Sequence, residues 1–180
     1  MRRIIAVLLV LASLLLTLSA SAAYNIGTFE TVTVEGETVD QSMLADYRLT
    51  MLNVWGTYCK PCIAEMPDLG RIHEEYKDKG MQVVGLVSDA MLVENNMVVP
   101  NEEMAESIKS TVTELGAEYT HILPTMDLYM NLLRYVNAVP TTIFLDSEGN
   151  QVGYAYSGYR DYGEWKKIID QTLKQIPGEV

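Results

Sequence analysis

Cys59 and Cys62 are the only cysteines in a chain of 180 residues, and they stand three positions apart. Such a pair can exchange electrons with another disulfide: one thiolate attacks, a mixed disulfide forms, and the second thiol resolves it. The flanks set the reactivity. The apolar run Met51-Leu52-Asn53-Val54-Trp55 leads in, and Ile63, Met66, Leu69, Ile72 and Tyr76 follow at helical spacing, which places the pair where a strand gives way to a helix. There the unpaired backbone N–H groups and the positive end of the helix dipole favour thiolate over thiol. Cys59 is therefore the expected exposed nucleophile and Cys62 the buried resolving thiol. Lys60 adds a positive charge between them, weakened by solvent, and Pro61 fits the first helical turn, where a missing N–H costs nothing.

A C-x-x-C pair also serves as half of a zinc site, but the other half is missing, since His73 and His121 are single and far apart in sequence. As a purely structural disulfide it would close a very short loop and constrain the unfolded chain little. No metal site is expected, and no cofactor beyond the Cys59–Cys62 disulfide itself.

The elements that must position the pair read as an α/β pattern. Thr31–Val34 and Thr38–Val39 flank Gly36 as a small hairpin, and Met43 to Tyr47 makes a helical turn. Leu49 to Trp55 is apolar enough for a strand buried on both faces. The helix from Cys62 carries Pro67 and stops at Gly80, and Met81 to Val87 completes a right-handed parallel unit. Asp89 to Pro100 reads as a loop bearing Met and Val, and Asn101 as the N-cap of a helix to Leu115 that Gly116 ends. His121-Ile122-Leu123 is a short strand and Asp127 to Tyr135 a short helix. Val139-Pro140-Thr141-Thr142 opens a strand to Leu145, Gln151 to Tyr156 returns antiparallel, and Asp161 to Gln175 is the last helix.

Met1-Arg2-Arg3 followed by the apolar stretch Ile4 to Leu18 reads as an export leader, with Ala20-Ser21-Ala22 as its small-x-small cleavage pattern. Residues 1–22 are thus expected to be a signal peptide, with an uncleaved membrane anchor as the rival, and residues 23–180 one domain in an extracytoplasmic compartment. Without Arg2 and Arg3 the 13 basic residues fall to 11 against 24 acidic ones, a balance of −13. That surface argues against nucleic acid or anionic lipid as a partner.

The strand, W-x-x-x-C-x-P-C, helix, and later Val139-Pro140-Thr141-Thr142 before an apolar strand resemble the thioredoxin superfamily. More narrowly, Asn53 to Cys62 followed by Ala64-Glu65-Met66-Pro67 resembles the TlpA/ResA-like extracytoplasmic thiol-disulfide oxidoreductases. The resemblance implies a thioredoxin fold, a central mixed sheet flanked by helices, with an N-terminal hairpin and a central αβ insertion. It implies a cis Pro140 facing the cysteines, with Val139 and Pro140 as a peptide-binding ledge, Trp55 beside the disulfide and Tyr58 on the substrate surface. Thioredoxin has a buried aspartate where this chain has Asn53, which cannot titrate; Glu65, frequent in the group, and Asp89, at the end of a central strand, are the candidate acids, each with a plain reading as a solvated carboxylate.

The expected activity is thiol-disulfide exchange that reduces client proteins carrying disulfides or cysteine pairs. By resemblance the clients are apocytochromes c or a methionine sulfoxide reductase, the electron donor is a membrane thiol carrier, and the protein is a monomer. A disulfide-forming oxidase is the nearest alternative. A peroxidase is disfavoured, because no proline-and-threonine pattern of the peroxiredoxin type precedes Cys59. A binding module would use Met91 and Met97 with the thiols to hold a soft metal, although methionine as core filler explains them as well.

Overall fold

The computed structural model describes residues 24–176; the leader lies outside them. Strand β1 (Glu30–Val32) pairs antiparallel with β2 (Thr38–Asp40) across the turn at Gly36. Strand β3 (Leu49–Trp55) is followed by helix α1 (Lys60–Tyr76) and strand β4 (Met81–Val87). A hairpin of β5 (Met91–Glu94) and β6 (Met97–Pro100) comes next, then α2 (Ala105–Glu114), β7 (Thr120–Ile122) and α3 (Met126–Asn131). Strand β8 (Thr141–Leu145), β9 (Tyr156–Ser157) and α4 (Tyr162–Leu173) finish the order.

The central sheet runs β7-β4-β3-β8-β9, with β4 and β7 parallel to β3 and β8 antiparallel to it. This is the expected mixed sheet of the thioredoxin fold. The pleat of β3 sorts its side chains: Leu49, Met51 and Trp55 join a core under α1, α2 and α4, while Leu52 and Val54 join a second core under α3 and the N-terminal segment. Both faces are covered, hence the unbroken apolar run. The β1–β2 hairpin extends the β7 edge, where the Val34 N–H donates to the His121 carbonyl at 2.9 Å.

Four local readings need correction. The Asp89–Pro100 segment is a hairpin: Asn95 and Asn96 both take positive φ, 48° and 66°, a turn that matches strand twist and that asparagine tolerates. Asn101 makes no capping bond, because the chain enters α2 through a tight turn at Glu102–Met104. The returning strand shrinks to a bridge at Gln151 and the two residues of β9. Helix α1 starts at Lys60, with Cys59 itself as N-cap.

Candidate active site at the Cys59–Cys62 disulfide

Backbone bonds build the site in order. Ser88 donates from both its N–H and its hydroxyl to the Trp55 carbonyl, each at 2.8 Å, locking the end of β3 to the end of β4. The chain turns at Gly56, whose carbonyl accepts from Cys59 N–H at 3.0 Å. Asp89 clasps this turn, its carboxylate accepting from the Thr57 N–H and hydroxyl.

Cys59 and Cys62 form a disulfide across one helical turn, with Cα atoms 5.2 Å apart. The Cys62 N–H points at Cys59 Sγ at 3.2 Å. That N–H belongs to the unsatisfied helix start, so a charge on Cys59 Sγ meets both a donor and the positive end of the dipole. Cys59 is 5% exposed and Cys62 2%. The expectation of an exposed Cys59 is therefore corrected: in the oxidised form both cysteines are buried in the core. Lys60 and Pro61 are exposed on the helix beside them.

The Val139–Pro140 peptide is cis. Val139 packs against the core that holds both cysteines, and it lines a cleft of about 210 Å³ together with Tyr58, which is 72% exposed. Trp55 is wholly buried in the same core as the disulfide. Its indole N–H donates to His121 Nδ1 at 3.2 Å, while His121 Nε2 lies 2.9 Å from the Ala117 carbonyl. An acceptor at Nδ1 leaves the proton on Nε2, so His121 is neutral, and burial pushes its pKa down to about 4.

The two proposed acids separate. Glu65 is not a solvated carboxylate: it is fully buried one turn beyond Cys62, with Oε1 accepting from the Trp165 indole at 2.8 Å and Oε2 unpartnered. Desolvation raises its pKa to about 7, against the opposing pull of the Trp165 bond and Arg160. Asp89 already uses both oxygens in the clasp, so its place is structural. Asn53 is buried and donates to Thr142 Oγ1 at 3.0 Å, tying β3 to β8.

Sequence reasoning missed His121 and Trp165 as members of the site. A signal for His121 existed: Gly85 is paired with it across β4 and β7, and a Cβ there would lie 2.2 Å from its Nδ1. A glycine within an apolar strand marks such a close approach. The soft-metal arrangement does not assemble, because Met91 pairs with Pro100 at one end of the hairpin and Met97 with Glu94 at the other. Among the described residues no group of three His, Cys, Asp or Glu side chains could hold a metal ion.

A family model described as AhpC/TSA matches residues 23–153. The chain belongs to the AhpC/TSA family. Within this family's thioredoxin-superfamily setting, the thiol-disulfide oxidoreductase ResA of a Bacillus cereus strain is 31% identical over 129 residues, 71% of this chain and 58% of that relative. The chain thus spans less than two thirds of that relative's length. The ResA of Geobacillus thermodenitrificans is 27% identical over 159 residues, covering 82% of this chain and 81% of its own. Among solved structures, a thioredoxin-family thiol:disulfide interchange protein from Chlorobium tepidum superposes with a TM-score of 0.68 at 21% identity, over 86% of this chain and 99% of that one. At that identity the likeness carries the fold alone.

Proposed function

We propose that this protein is an extracytoplasmic thiol-disulfide oxidoreductase that reduces client proteins through Cys59 and Cys62. The observation that carries the reading is the disulfide seated on a helix N-terminus, with the Cys62 N–H aimed at Cys59 Sγ and Val139, joined to Pro140 by a cis peptide, packed against the core that holds both cysteines. The relatives named ResA support it.

In the reduced protein the Cys59 thiolate attacks one sulfur of a client disulfide, and the other client sulfur leaves as a thiolate. Cys62 then attacks Cys59 Sγ, restoring the internal disulfide and releasing the client with two more electrons. The Cys62 proton needs an acceptor with an affinity near neutrality, and Glu65, buried one turn along the helix with a pKa of about 7, supplies one. Residues 1–22 act as the export leader of a domain spanning 23–180. By the TlpA/ResA likeness, a membrane thiol carrier returns the electrons and the clients are apocytochrome cysteine pairs or a repair enzyme.

The reducing direction follows from Lys60-Pro61 between the cysteines, which lacks the histidine that stabilises the thiolate of strongly oxidising relatives. A moderately stabilised thiolate places the couple nearer thioredoxin at about −270 mV than DsbA at about −120 mV. Equilibration with dithiothreitol or glutathione measures it, and acceleration of insulin reduction reports the activity. A couple above about −180 mV, that of an isomerase-type protein, would overturn the reductase assignment. Cys62→Ser is expected to accumulate client mixed disulfides through Cys59, and Cys59→Ser few.

A further inference from the structure

The segment that joins β9 to α4 closes on Glu65 through one tryptophan and one arginine. Trp165, near the start of α4, is wholly buried and gives its indole N–H to Glu65 Oε1 at 2.8 Å. The Arg160 guanidinium lies over the Trp165 ring and over Tyr156, 5.2 Å from each centroid. A cation in that place is attracted by the ring faces, and the more so as water is kept away. Through Nη1 the same guanidinium donates to the Ser157 carbonyl at 3.2 Å and to the Gly158 carbonyl at 2.9 Å.

The turn that Arg160 braces is fixed at both ends. Gly158 N–H donates to the Pro140 carbonyl at 2.8 Å. Asp161 and Glu164 close the start of α4 with reciprocal bonds of 2.9 and 3.2 Å. The Arg160 charge favours the ionised form of Glu65. The other groups facing Glu65 do not supply that charge. Asp68, one turn along α1, repels the carboxylate, and it is engaged with the Tyr162 N–H at 3.0 Å and Arg71 at 3.3 Å. Tyr119, ahead of β7, presents a hydroxyl that burial keeps neutral and that, like Glu65 Oε2, has no hydrogen-bond partner among the described residues.

We propose that Arg160 is a positioning residue for Glu65: it pins the Trp165 indole against the carboxylate, keeps a positive charge in its surroundings, and so sets when Glu65 takes or gives up a proton. This deepens the functional reading above and rests on it only for the step in which Glu65 accepts the Cys62 proton.

The test follows Glu65 directly and then the reaction. Full-length oxidised protein labelled with carbon-13 at the glutamate Cδ is titrated by NMR, with Glu65→Gln identifying the signal. Arg160→Met removes the charge and the fork while keeping an apolar stem over the rings. It is expected to raise the Glu65 midpoint by about 0.5 to 1 pH unit, the low end of what a neighbouring opposite charge contributes, because Arg160 is partly exposed to water. Arg160→Gln, which can still donate to a carbonyl, is expected to move it in the same direction. Arg160→Lys keeps the charge and is expected to recover at least half of the shift. Reduced protein is then mixed with glutathione disulfide and quenched with acid, and mass spectrometry times the step in which Cys62 displaces glutathione from Cys59 and restores the internal disulfide. Its pH profile is expected to move by the same amount as the Glu65 midpoint. A midpoint equal in wild type, Arg160→Met and Arg160→Gln, even with stability lowered, would overturn the proposal, as would an Arg160→Lys midpoint displaced as far as that of Arg160→Met. A displaced midpoint with an unmoved rate profile would refute Glu65 as the acceptor of the Cys62 proton and leave the hold of Arg160 on Glu65 standing.

Discussion

Replacing Glu65 by glutamine removes a buried proton site while keeping an oxygen to accept from the Trp165 indole. The folded protein holds the Glu65 proton up to about pH 7, whereas the unfolded chain releases it near 4.5. With a raised folded pKa, the stabilisation is fully present below pH 4.5 and is lost as pH rises through 7. The gap of about 2.5 pH units is worth about 3 to 4 kcal/mol at about 1.4 kcal/mol per unit. Wild-type stability minus that of Glu65→Gln is therefore expected to fall by about 3 kcal/mol between pH 4.5 and 7. Urea unfolding of the oxidised proteins at unit steps of pH gives each free energy by linear extrapolation, and the difference cancels the titration of the surface carboxylates. A difference constant to within about 0.5 kcal/mol, or one growing with pH, would refute both the burial argument and the use of Glu65 as a proton acceptor near neutrality.

His121 should behave with the opposite sign: its folded pKa of about 4 lies below the usual 6.5, so its stabilisation is present above 6.5 and lost as pH falls through 4. Wild type minus His121→Gln is expected to grow by about 3 kcal/mol over that range in the same urea series. Gly85→Ala would drive a methyl to 2.2 Å from His121 Nδ1 and 3.0 Å from Trp55 Nε1, an overpacking cost of about 3 kcal/mol readable as a lower urea midpoint. Asp89→Ala is expected to lose about 2 kcal/mol by releasing the Thr57 turn, and Asp89→Asn to recover about half, because one amide oxygen still accepts; thermal unfolding separates the two.

The elements that follow from side-chain period were legible. Leu49–Trp55 and Met81–Val87 match their strands end to end, because burial on both faces demands an unbroken apolar run. The cysteine pair fixed the chemistry for the same reason of local sequence. What escaped depends on partners distant in the chain or on backbone angles. Val93-Glu94-Asn95-Asn96-Met97-Val98 hides a hairpin because both asparagines sit at positive φ, where glycine is the familiar marker. Glu65 looks like a solvated acid until Trp165, a hundred residues on, closes over it. His121 shows its place only once β7 is laid against Gly85.

The position of β3 in the middle of the sheet also sets an order of assembly. Its parallel partner β4 and the intervening α1 are contiguous in the chain, so the cysteines, their helix start and the Asp89 clasp can close on short loops. Strand β8 reaches β3 from far later, as the Asn53–Thr142 bond across 89 residues shows, and it carries the Val139 wall with it. A chain emerging N-terminus first therefore mounts its thiols before it owns the surface that faces them. Until β8 docks, the cysteine pair stands without the Val139 wall, and the speed of that last pairing decides how long it does so.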